Sequence, residues 1–255
     1  MKTIVFIHGM YMTATCWDNW SAYFNGKGYR VFAPAWPGRE QSVEMIKKAH
    51  PDSRLGKLTL SDVVDSMSDF IQRLDEKPVV IGHSMGGLVT QILLQKDLAA
   101  GGIAIDSAPP MGVFALDSNF LKANWGHITP FANLRSPVYM TFEQFQFAFV
   151  NTMALDEQRA AYELYAVPES RAVPRESLTA KIDFAHKKVP LLMIAGGDDH
   201  LIPASLNRIN YRKYAGAPSP TDFKEFPGRC HFLIGQKGWE EIAGYCLDWI
   251  TNQIP

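Results

Sequence analysis

Little in this chain points to a disulfide staple, a membrane span or a polyanionic partner. Its 255 residues include only three cysteines, Cys16, Cys230 and Cys246. They are odd in number and lack CxxC spacing, which argues against a disulfide framework or a zinc site and predicts reduced thiols. No apolar run approaches the roughly 18 residues that cross a bilayer, so no stable membrane insertion is expected. The 25 basic and 26 acidic side chains nearly cancel, which removes the attraction that nucleic acid or an anionic membrane would exert. Internal repeats and low-complexity stretches are also missing. The apolar start, Thr3 to Ile7, is too short for a signal sequence and is followed by no small-residue cleavage site. It reads as a first strand, and a cytoplasmic location is expected.

What is present is an α/β alternation. Short runs rich in Val, Ile, Leu, Met or Phe recur at Thr3–Ile7, Tyr29–Ala33, Val79–Ile81, Gly102–Ile105, Pro190–Ala195 and Asp222–Phe226, as expected of parallel strands buried on both faces. Between them, Thr59–Leu74 and Trp239–Ile250 carry apolar stripes at helical spacing. The pattern predicts a doubly wound, mostly parallel sheet of about six strands. Residues 108–186 break the alternation. They contain no convincing strand, are dense in aromatics and are cut by prolines. They are expected to form a helical cap inserted between a first core part, 1–107, and a second, 187–255. Trp125, Phe142, Phe145 and Phe149 lie in this segment. The three phenylalanines share helical spacing, so they form either the small core of the cap or the lining of an apolar substrate pocket beneath it.

The densest chemical signal is Gly82-His83-Ser84-Met85-Gly86-Gly87. A strand precedes it and an amphipathic helix follows, which is the layout of a nucleophile elbow. The abrupt reversal puts Ser84 in a strained backbone conformation at the tip, with a helix N-terminus behind it. A serine needs a base and a group that orients the base. His231 follows the last strand, in Gly228-Arg229-Cys230-His231-Phe232, and so rises from the sheet edge that carries Ser84. His83 is expected to point away from the site and His8 to steady a loop. His50, His127, His186 and His200 have no comparable placement. For the acid, Asp199 is preferred over Asp198 in the loop after the penultimate strand, with Asp106 as an outside candidate. The order Ser84, Asp199, His231 is that of the elbow class. Backbone N–H groups of Met10 and Met85 are expected to form the oxyanion hole. Because His231 acts as a base only when neutral, the rate is expected to rise with pH near neutrality.

With Ile7-His8-Gly9-Met10, the elbow, Gly196 through Pro203 and Gly228 through Phe232 in view, the chain resembles the α/β-hydrolase superfamily along nearly its whole length. The family's acid loop commonly reads Gly-x-x-Asp-x-x-x-Pro, which lays Gly196, Asp199 and Pro203 on the matching positions. Where many relatives have Asp-x-Pro-Gly-x-Gly, this chain has Ala35-Trp36-Pro37-Gly38-Arg39-Glu40. The compact start and Cys16-Trp17 are similar to the branch of plant-type esterases and hydroxynitrile lyases. The resemblance implies a serine esterase or lipase-like hydrolase acting on a small-molecule ester with an apolar part, with no metal and no organic cofactor. Two other readings share the fold: a C–C bond hydrolase or hydroxynitrile-lyase-type enzyme on the same triad, and a ligand-binding receptor.

Overall fold

Six short runs come together as one sheet. The computed structural model describes residues 2–52, 54–128 and 136–254, the side chains of residues 125–128 excepted. The strands are β1 (Thr3–Ile7), β2 (Arg30–Phe32), β3 (Val79–His83), β4 (Gly101–Ile105), β5 (Leu191–Gly196) and β6 (Thr221–Phe226). They are ordered β2-β1-β3-β4-β5-β6, and every neighbouring pair is parallel. The inner four are buried along their whole length. The outer two are not, contrary to the expectation of burial on both faces. β2 is half-buried throughout, and β6, with Asp222, Lys224 and Glu225 in its short span, is buried only at Phe226. Charged side chains on an edge strand discourage pairing with a second sheet.

The helices are α1 (Asp18–Gly26), α2 (Val43–Ala49), α3 (Leu60–Gln72), α4 (Met85–Gln95), α5 (Ser118–Ile128), α6 (Phe142–Ala148), α7 (Leu155–Tyr165), α8 (Ala172–Ser177), α9 (Ala204–Lys213) and α10 (Trp239–Gln253). α3 starts at a reciprocal capping box between Thr59 and Asp62 and turns Val63, Val64, Met67 and Ile71 into the core. Such a cap stabilises a helix start by about 1 kcal/mol. α1 packs against α10, and α4 lies along β3 and β4 with α3 beside it. β1 is anchored by aromatics. Phe6 stacks on Trp17 at 4.7 Å and meets Trp20 and Phe24 edge-on. Each such pair contributes about 0.5–1.5 kcal/mol beyond its buried area.

Between β4 and β5 the described residues form α5 to α8, a short 3-10 turn and one isolated bridge, Val138 to Glu169. No helix among the described residues is long and apolar enough to cross a membrane. Strand order reverses between β1 and β3, so the loops leaving their carboxyl ends diverge and open a crevice. Met10 follows β1 and Ser84 follows β3 at that crevice.

Candidate active site

β3 ends at His83, and Ser84 follows with φ 58° and ψ −120° before α4 begins. Only glycine fits the flanking positions. A Cβ on Gly82 would sit 2.0 Å from the Gly86 carbonyl oxygen, and one on Gly86 would sit 2.2 Å from that of Ile7. Real Cβ atoms do not approach so closely, so the sequence Gly-x-Ser-x-Gly is a steric requirement of this reversal. Among the described non-glycine residues, four have positive φ, and three of them, Tyr11, Ser84 and Asp106, lie just beyond the ends of β1, β3 and β4. Backbone strain is therefore concentrated around the crevice, as it is at functional sites generally.

The base candidate is held from two sides. His231 Nδ1 donates to Asp199 Oδ2 at 2.7 Å, and both side chains are fully buried. Asp199 Oδ1 in turn accepts from the backbone N–H of Leu201 and Ile202, at 2.7 and 2.9 Å. Asp198 is exposed and contributes no side chain to this cluster. The Asp199 and His231 loops are also joined by backbone bonds, from Gly197 N to the Phe226 carbonyl and from Asp198 N to the Arg229 carbonyl. The Nε2 of His231 is buried without a hydrogen-bond partner, which leaves it available to a substrate or to Ser84. Resting geometry of this kind often tightens only when substrate binds.

His83 does not turn away from this cluster as expected. Its Nε2–H donates to the His231 carbonyl at 2.7 Å, and the two rings lie 4.7 Å apart. It positions the loop bearing His231. His8 does steady a loop. Its Nδ1–H donates to the Gly9 carbonyl at 2.8 Å, its Nε2 accepts from Trp36 N–H at 3.2 Å, and its ring stacks on Trp36. These bonds fix a neutral tautomer, and burial lowers its pKa to about 3. Burial also takes His231 from 6.5 down to about 3. By that direction the acid limb of the rate is expected below neutrality rather than near it, because a dry imidazole resists protonation. The same burial raises the carboxyls of Asp106 and Asp199 above the ordinary range, opposed at Asp199 by its hydrogen bonds.

For an oxyanion, Met85 opens α4, and its N–H has no acceptor within the helix. In the loop after β1, Tyr11 N–H is committed to Glu169 Oε2 at 3.0 Å, which leaves Met10 as the donor candidate of that turn. Close approach there again needs glycine, since a Cβ on Gly9 would come within 2.7 Å of Ser84 Cβ. Glu169 was not anticipated. It accepts from Tyr11 and Ser170 N–H and pairs with Arg39 Nη2 at 2.7 Å, with both charged side chains fully buried. This pair, with the Trp36–His8 contact, holds the Ala35–Glu40 loop, in which the family's usual aspartate and second glycine are absent.

A narrow cavity of about 60 Å³ opens on Ser84, lined among others by Met10, Met85, Phe120, Leu178, Leu201 and Ile202. Phe142, Phe145 and Phe149 are not among its described lining residues. Phe145 stacks on Phe149 at 4.8 Å, Phe142 packs on Tyr162, and Phe149 lies edge-on to His231 at 4.9 Å. They form the small core of the inserted segment and brace the base candidate from behind. The side chains of Trp125 and His127 lie outside the described residues. A larger open groove of about 740 Å³ runs beside α3, and neither Ser84 nor His231 is among its described lining residues. Among the described residues, atoms of His83, Asp106 and His231 come within 4.8 Å of one another. Two of their ring nitrogens are spent on hydrogen bonds inside the site.

A Ser84 elbow at a sheet crevice, with a carboxylate-bound histidine from the last loop, is the architecture of an α/β-hydrolase. The alpha/beta hydrolase family matches residues 4–243, and the chain belongs to that family. Solved structures agree in fold. An extracellular α/β-hydrolase from a Paenibacillus species superposes with a TM-score of 0.72 at 22% identity, covering 97% of this chain and 98% of that one. A methylesterase from Arabidopsis gives 0.71 at 15% identity, covering 98% and 99%. A pyrethroid hydrolase from Sphingobium faniae gives 0.72 at 20% identity, covering 98% of each. No curated protein matches the chain.

Proposed function

We propose that this hydrolase is a serine carboxylesterase acting on small esters with an apolar part. Ser84 Oγ attacks the acyl carbon while its proton passes to His231 Nε2. Asp199 stabilises the imidazolium through Nδ1–H, and the Met10 and Met85 N–H groups receive the negative charge on the carbonyl oxygen. His231 then gives the proton to the departing alkoxide, which leaves as the alcohol. Water, activated by the same imidazole, releases the acyl group from Ser84. No step calls on a metal or an organic cofactor.

The observation that carries this reading is the 2.7 Å contact between His231 Nδ1 and Asp199 Oδ2 beside a strained serine. A binding protein has no need of a base kept neutral, aligned and unpartnered at Nε2. The narrow apolar cavity favours a short acyl or alkyl group, with residues 108–186 as the cap above it. The named activities of the structural neighbours, among them a methylesterase and a pyrethroid hydrolase, are in keeping with ester chemistry. The three free, buried cysteines suit a reducing compartment, and we place the reaction in the cytoplasm.

The test is turnover of p-nitrophenyl esters from acetate to palmitate, with Ser84→Ala run alongside. Turnover is expected to peak at short chains and to vanish in the variant. Equal turnover by Ser84→Ala, or none with any ester, would refute the assignment.

A further inference from the structure

One buried acid beside the site has no part in this scheme. Asp106 follows β4 with φ 43° and is fully buried. Its Oδ1 accepts from Gly196 N–H at 2.7 Å. Its Oδ2 has no partner among the described residues and lies 4.0 Å from His231 Nδ1, the atom that already serves Asp199. The titratable groups around it are Asp199 from the loop after β5, His231 and Cys230 from the loop after β6, and His83 from β3. Among the described residues no lysine or arginine pairs with either aspartate.

Two carboxylates around one neutral imidazole in a dry pocket do not both ionise, because each would be a buried charge repelling the other. The donors decide which of them keeps the charge. Asp199 receives three N–H bonds, from Leu201, Ile202 and His231. Asp106 receives one, from Gly196. We propose that Asp106 is a neutral carboxylic acid whose Oδ2–H donates to the Asp199 carboxylate, making it a positioning residue for the Asp199–His231 pair. A hydrogen bond of this direction raises Asp106 and lowers Asp199, in keeping with that division. The donated bond keeps Asp199 ionised and aimed at Nδ1. It also spares His231 a second anion that would make it too basic to act as a base near neutrality. The kinetic consequence rests on the esterase reading, whereas the location of the proton does not.

Three variants and one spectrum test this. Asp106→Asn preserves both roles, since its amide oxygen can accept from Gly196 and its amide nitrogen can donate to Asp199. It is expected to keep wild-type kcat and pH profile. Asp106→Ala removes the donor, which makes Asp199 more basic. It should lower kcat by about 10- to 100-fold, the weight of one hydrogen bond to a charged group, and move the acid limb of kcat/KM to higher pH. Should Asp106→Ala fail to fold, the asparagine variant and the spectrum still decide. The infrared spectrum at neutral pH, without substrate, should contain a protonated carboxyl C=O band that Asp106→Asn lacks. No such band, or a loss in Asp106→Asn as deep as in Asp199→Asn, would overturn the proposal. A band in a protein that cleaves no ester would leave this inference standing and remove the esterase reading instead.

Discussion

The carboxyl edge of the sheet and the segment from 108 to 186 hold their side chains in different ways. At the edge, polar side chains are pinned by the backbone: Asp199 by Leu201 and Ile202, His8 by Gly9 and Trp36, Asp106 by Gly196. In the segment, aromatic stacking around Phe145, Phe149 and Tyr162 adds to backbone bonds such as that from Tyr162 OH to the Met140 carbonyl. Main-chain partners fix direction to a few tenths of an ångström, which chemistry requires. Stacked rings fix volume, which shapes a binding space and tolerates change. The two regions meet at Arg39–Glu169 and at Phe149 against His231. Substitutions at the edge should therefore change rate, and those in the segment should change stability or selectivity.

The largest effect is expected at the edge. His231→Ala and Asp199→Asn should each reduce kcat by roughly 10⁴-fold, and Asp199→Asn should do so with a thermal melt close to wild type; a deep loss of stability in Asp199→Asn would erase the contrast between the regions. Breaking the buried pair where they meet comes next. Arg39→Met leaves Glu169 charged and unpaired, which should cost about 3–5 kcal/mol in urea unfolding. Adding Glu169→Gln should recover part of that loss, because the stranded charge is gone. Within the segment, Phe145→Ala should cost about 3 kcal/mol and leave the preferred ester length unchanged. Phe120→Ala, on the cavity wall, should do the reverse by admitting longer chains, read from the same ester series.

The smallest effect is a slope. Burial lowers the pKa of His8 and His231 from 6.5 to about 3 in the folded chain. Below pH 6.5 the unfolded chain takes up protons that the folded one refuses, so stability falls as pH drops toward 3. The loss is about 1.4 kcal/mol per pH unit for each histidine. Urea titrations between pH 7 and 5 measure it, and His8→Gln should reduce the slope. The acid limb of kcat/KM should likewise lie below pH 6.5.

The edge was also the more legible region from sequence. Apolar runs such as Ile4–Ile7 and Leu191–Ala195 announce inner strands, and Gly82 is forced by the Gly86 carbonyl four residues on, whereas Gly86 is forced by the Ile7 carbonyl of the neighbouring strand. Asp199 stands out from Asp198 through the resemblance of Gly196–Pro203 to the family's acid loop. What escaped depends on distant partners. Arg39 and Glu169 look like ordinary surface charges in a chain with balanced charge, and Glu169 reaches Tyr11 across 158 residues. The helical spacing of Phe142, Phe145 and Phe149 suits a core and a pocket equally, so only their neighbours decide between the two. Asp106 was visible as an acid at a strand end, but its relation to Asp199 appears only when β4 and β5 are side by side.

The most direct test is a covalent one. The protein is treated with a fluorophosphonate at neutral pH and digested, and the labelled peptide is mapped by mass spectrometry, with His231→Ala treated in parallel. A single adduct on Ser84, formed rapidly in the wild type and at a small fraction of that rate without His231, is the expected result. An unlabelled Ser84, or labelling at the same rate in both proteins, would contradict the assignment of Ser84 as a nucleophile activated by His231.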